Sequence, residues 1–197
     1  MPATDHRITE ADIIAPDVYA RERADRRRAL IAVKRNRRVE VGPYATFYFE
    51  NFATMLAQVH EMLHIEKGGA EQIAGELEAY NPLIPQGSEL IATLMIEIDE
   101  PARRQAMLMK LAGIEESCTM TVGPHRIVAA PTDYEDRTTP EGKTSSVHWV
   151  RFRFTPEQIA AFKNPAENVV LGISHPNYGH MAVLSADARA ELARDFA

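Results

Sequence analysis

His60-Glu61-Met62-Leu63-His64 is the sharpest chemical pattern in the sequence. On a helix, histidines four residues apart share a face and can bind one zinc ion, while the glutamate activates the bound water. The residues around it predict a helix over 51–66. On its wheel Phe52, Met55, Leu56, Val59 and Leu63 form the apolar stripe, His60 and His64 flank that stripe, and Glu61 lies roughly opposite. Glu76 and Glu78 follow, but neither stands in a companion motif that would supply a third ligand. A zinc hydrolase acting through His60, Glu61 and His64 is one reading. Two boundary histidines on an amphipathic helix is the plainer one.

A second set of histidines comes from strand alternation. In the run 146–154, His148 shares its face with Val150, Phe152 and Phe154. In 169–174, Val169, Leu171 and Ile173 share a face, and His175 is next in step. Both imidazoles therefore project toward apolar surroundings, where each needs a carboxylate, a carbonyl or a metal. If the two strands run antiparallel in one sheet, His148 and His175 reach the same end of it. With a carboxylate they would form an open site for iron or zinc. Glu66, Glu61 and Glu97 are the carboxylate candidates, and Tyr178 and His180 would be donors around them. The plainer alternative is two core histidines bonded to main chain.

Charge is unevenly distributed. Residues 21–38 hold nine Lys/Arg against two Asp/Glu, a local +7, whereas the remaining residues carry −13 of the net −6. Arg26, Arg28, Lys34, Arg35, Arg37 and Arg38 suit an acidic partner. The absence of interleaved aromatics and the acidic remainder argue against nucleic acid.

Those groups must be positioned by a fold of 197 residues, with 45% hydrophobic and 25% charged side chains, close to globular averages. A single domain spanning 1–197 is expected. Cys118, the single cysteine, rules out an intrachain disulfide, and no apolar run suits a signal peptide or a membrane span. A cytoplasmic setting is the resulting expectation. Periodicity predicts a basic helical region within 1–40, a hairpin over 38–50, helices over 51–66 and 70–79, and a strand over 89–99. A helix over 101–111, a hairpin over 119–130, a long polar loop over 131–146 and a strand over 146–154 follow. The chain finishes with a helix over 156–162, a strand over 169–174 and a helix over 185–196. This pattern is α+β, with an antiparallel-rich mixed sheet of about six strands covered by helices.

The runs KRNRRVEVGPYATFYFEN, EMLHIE, EAYNPLIPQGSELIATLMIEIDE, EGKTSSVHWVRFRF and ISHPNY, in this order, resemble an uncharacterised bacterial domain family of about 200 residues. The resemblance spans nearly the whole chain. It implies a redox or oxidative-stress setting beside rubrerythrin-like di-iron proteins and iron–sulfur subunits similar to heterodisulfide reductase. His148, His175, Glu61, Glu66, Tyr178 and the basic run fall in segments typical of that family. The resemblance also implies glutamine and arginine where this chain has His60 and His64, which weakens the zinc reading. The leading expectation is a metal- or small-ligand-binding protein using His148, His175 and a glutamate. A non-catalytic accessory protein docking an acidic redox partner is the alternative.

Overall fold

The computed structural model describes residues 6–132 and 137–196. A 3-10 turn at Glu10–Asp12 leads into α1 (Pro16–Arg35), β1 (Arg38–Val41), β2 (Ala45–Phe49), α2 (Phe52–Glu66) and α3 (Ala70–Tyr80). Next come β3 (Glu89–Ile96), α4 (Pro101–Leu108), a 3-10 turn at Ile114–Ser117, β4 (Cys118–Val122), β5 (His125–Val128) and β6 (Ala130–Pro131). The chain finishes with β7 (Val147–Arg153), α5 (Pro156–Lys163), β8 (Val169–His175), β9 (Tyr178–Val183), α6 (Ala186–Leu192) and a 3-10 turn at Ala193–Asp195.

The class is α+β with antiparallel pairing, as expected. Among the described residues the strands form two sheets, ordered β1-β2-β3-β7-β6 and β5-β4-β8-β9. Alternation decides what each face does. Phe47 and Phe49, Leu90, Ala92 and Leu94, and Val150 and Phe152 point from the first sheet into the same core as Cys118, Met120, Leu171 and Ile173 of the second. On the opposite face of the first sheet, Ile91 and Trp149 meet Met55 and Val59 of α2. The result is three layers: helices, sheet, sheet. Truncating a fully buried ring such as Phe152 to alanine costs about 3–5 kcal/mol in such a core.

Local chemistry sets the helix ends. Asn51 accepts the Thr54 N–H while the Thr54 hydroxyl accepts the Asn51 N–H, a reciprocal cap that starts α2. Lys67, at φ 56°, ends it in the left-handed region. Thr155 and Gln158 repeat the reciprocal cap on α5, with Pro156 opening its first turn.

Two sequence expectations change. The segment 175–180, outside every element expected from periodicity, is a hairpin in which Pro176 and Asn177 link β8 to β9. The polar loop is partly structured, since Thr138 pairs with Thr144 and the Arg137 guanidinium lies over the Trp149 ring at 4.5 Å. Residues 133–136 of that loop lie outside the described residues.

Candidate functional site

The H-E-x-x-H helix presents its polar residues to α1. Glu61 accepts the Tyr19 hydroxyl at 2.6 Å and two bonds from the Arg23 guanidinium at 2.9 and 2.7 Å. Arg23, with help from Tyr19, holds the Glu61 carboxyl down at about 2, and burial with the Glu61 charge pushes the Tyr19 phenol up to about 12. His60 is buried and stacked on Tyr19, with centroids 5.0 Å apart. Its Nδ1 donates to the Leu56 carbonyl at 2.9 Å, and its Nε2 accepts the Ile14 N–H at 3.1 Å. Both ring nitrogens are therefore committed, and burial lowers the pKa of His60. His64 meets the edge of the Tyr19 ring.

His148 is buried as alternation required, whereas His175 is only half-buried, which corrects its expected apolar setting, and the two belong to different sheets. The expectation that one antiparallel sheet brings them together is thereby corrected. His148 Nε2 donates to the Ser145 carbonyl at 2.9 Å, and its Nδ1 stands 3.3 Å from Glu115 Oε2. His175 Nε2 donates to the Ala112 carbonyl at 3.1 Å, while its Nδ1 accepts the Asn177 N–H. Glu66 is exposed and accepts from Gln72, and Glu61 belongs to the α1 contact. Among the described residues no three His, Cys, Asp or Glu side chains converge as a metal-binding group. Tyr178 serves as a hydrogen-bond hub to Val41, Tyr44 and Ala45, with the exposed His180 against its ring. Cys118 is buried, and burial pushes its thiol pKa up, away from nucleophilic use.

The hairpin turn between β1 and β2 borders a cleft of about 330 Å³ lined by Arg38, Glu40, Tyr44, Thr46, Glu97 and Asp99, among others. Glu97 accepts hydroxyls from Thr46 at 2.6 Å and Tyr48 at 2.9 Å. Arg38 pairs with Glu40 at 2.9 Å and lies over the Tyr48 ring.

The basic segment divides into three roles. Arg37 is buried, 1% exposed, and donates to the Phe49 and Glu50 carbonyls and to Asp195 and Glu191. Its place in the expected docking surface is corrected: it is a core tether. Arg38 belongs to the cleft, and Arg26 pairs with Glu22 along the helix. The rest is a surface. In the twenty residues of α1 only Tyr19 is buried. Arg27, Arg28, Ile31, Lys34 and Arg35 are all exposed, and their spacing puts them on one face. Ile31, 69% exposed, stands at the centre of that cationic arc. Arg28 bonds Asp25, whereas Arg27, Lys34 and Arg35 have no ion-pair partner among the described residues. The sequence reading omitted Arg27 and Ile31, although their i, i+4 spacing already placed them beside Lys34 and Arg35. It also omitted Glu115, which no periodic signal singles out.

A model of the family described as "Protein of unknown function (DUF3501)" matches residues 7–196. The structure is similar to the crystal structure of a novel protein of unknown function from Burkholderia pseudomallei. The two share 35% identity at a TM-score of 0.88, over 96% of this chain and 99% of that one. No curated protein matches the chain. No helix among the described residues is long and apolar enough to cross a membrane.

Proposed function

We propose, for a chain that belongs to the DUF3501 family, the function of a non-catalytic accessory protein that docks an acidic protein partner through α1, in a cytoplasmic redox module. The observation that carries this reading is the exposed arc of Arg27, Arg28, Lys34 and Arg35 around Ile31 on a helix with one buried residue. A cationic rim attracts and orients an acidic surface, and a central apolar side chain contributes desolvated contact once docked. The commitment of both nitrogens of His60 and of His175 to other groups supports binding over chemistry at those residues.

The test is a titration of purified rubrerythrin-like and iron–sulfur partner proteins against the chain at several salt concentrations. Affinity should fall steeply once ionic strength passes about 0.1 M, where the Debye length is about 10 Å. The triple charge reversal Arg27→Glu, Lys34→Glu and Arg35→Glu should abolish it. Salt-insensitive binding, no binding, or stronger capture by duplex DNA or anionic vesicles would overturn the proposal.

A second reading is favoured by the cleft beside the β1–β2 turn, where one guanidinium and the carboxylates of Glu40, Glu97 and Asp99 line a single concavity. That set suits a small amine-bearing or zwitterionic ligand, with Arg38 taking an anionic end. Calorimetry with free amino acids and diamines against wild type and Asp99→Asn distinguishes it.

A further inference from the structure

The sharpest motif in the sequence meets the helix that carries the docking arc. Holding α1 against α2 are the Tyr19–Glu61 and Arg23–Glu61 bonds, the stack of Tyr19 on His60, and the Ile14 N–H bond to His60 Nε2 just before the helix begins. Tyr19 is the one buried residue of α1, so this cluster dominates the fixing of its first half. His60 is the member of the cluster whose bonding is tied to a single protonation state. Its Nδ1–H points at a carbonyl, leaving Nε2 bare to accept a main-chain N–H. Adding a proton to Nε2 sets two donors against each other across 3.1 Å and removes the Ile14 bond.

We infer that His60 is a protonation-controlled latch: neutral, it holds Ile14 and the first turns of α1 on α2, and protonated, it lets them go. This rests on the docking reading only for its consequence, since a released α1 no longer presents its basic arc in a fixed orientation.

The surrounding groups favour this assignment. Arg26 faces His60 from α1, and its positive charge opposes the imidazolium. Glu61 titrates near 2 and Tyr19 near 12, so neither changes charge between pH 5 and pH 8. Arg23 stays charged throughout. His64, the other histidine of the cluster, meets the edge of the Tyr19 ring and makes no hydrogen bond to the segment before α1 among the described residues. On the preceding turn Asp12 is turned into Thr9. Direction follows from linkage. The latched state binds the His60 proton less well than the released state does, so the latch is firm above the ordinary histidine range and weakens as pH falls through it.

Amide hydrogen exchange on the full chain without any partner tests the latch. After correction for intrinsic exchange, protection of residues 14–23 should drop several-fold between pH 7.5 and pH 5.5, while β3 and β7 stay unchanged. His60→Gln offers a carbonyl to the Ile14 N–H but cannot titrate, so its profile should be flat. His64→Gln should behave as wild type. In the wild-type protein the His60 ring signal, followed by NMR, should titrate below the ordinary histidine range, as linkage to the loss of protection requires. That measurement serves even where the glutamine variant folds poorly. Flat wild-type protection, an unchanged drop in His60→Gln, or a His60 ring that titrates at or above the ordinary histidine range each overturns the inference. Because no partner is present, the latch and the docking proposal can fail separately.

Discussion

The Tyr178 hydroxyl donates to the Val41 carbonyl at 2.8 Å, joining β9 of the second sheet to β1 of the first. The same oxygen accepts the Tyr44 and Ala45 N–H groups, so one phenol bonds three main-chain groups around the β1–β2 turn. Gly42, at φ +72°, fits beneath it, where a Cβ would stand 2.5 Å from the His180 ring.

Removing that hydroxyl strands three main-chain groups at once. Tyr178→Phe is expected to lower unfolding free energy by about 2–4 kcal/mol in urea titrations. Gly42→Ala should also destabilise, through both its positive φ and the crowding at His180. A neutral result for Tyr178→Phe would mean that water replaces the phenol without cost.

Arg37 and the α1 arc make opposite predictions from the same basic run. Arg37→Ala leaves Asp195 and Glu191 facing a guanidinium that is gone, and should cost about 3–5 kcal/mol. Charge reversal at Arg27, Lys34 and Arg35 should leave the melting temperature within a few degrees of wild type. Calorimetric scans of both proteins check the pair.

Glu61 supplies an acid limb to stability. Arg23 holds its carboxyl at about 2 in the folded chain, below the ordinary 4.5, so its contribution is complete above about pH 4.5 and fades as pH falls toward 2. Glu61→Gln should therefore be less stable than wild type at neutral pH, with the gap narrowing in acid. Urea midpoints at four pH values decide this, and a constant gap would point to packing instead of charge.

His148→Ala should cost about 3–5 kcal/mol, because it leaves the Glu115 carboxylate in the core without its partner. Glu115→Gln in the same background should restore part of that loss, read by thermal unfolding. No restoration would assign the cost to the cavity alone.

Much of the fold was legible because burial follows period. Leu90, Ala92 and Leu94 alternate along β3, and Val150 and Phe152 along β7, so each strand announced its buried face. The number of sheets was not legible, since an inner face reads the same whether helices or a second sheet cover it. His148 and His175 show the difference: alternation gave the inward direction, but the pairing that placed them on separate sheets depends on contacts far apart in sequence. No element was expected where β9 lies, because its Tyr178–Val183 run carries little apolar alternation beyond the Pro176-Asn177 link. Arg37 was illegible for another reason. Within a run of exposed cations nothing local marks the one whose carboxylates arrive at the other end of the chain, whereas the Arg27–Ile31–Arg35 spacing was present in the sequence from the start.

That last separation bears on how the molecule is made. Arg37 and Asp195 lie 158 positions apart, and the guanidinium is buried between the end of β2 and the final turn. During synthesis the arginine emerges long before its carboxylates, so the first hairpin cannot pair its buried cation until α6 and the turn after it have been made. Closure at this point waits for the segment that carries Glu191 and Asp195, and shortening the chain before Glu191 removes both counterions together with the buried Leu192 and Phe196.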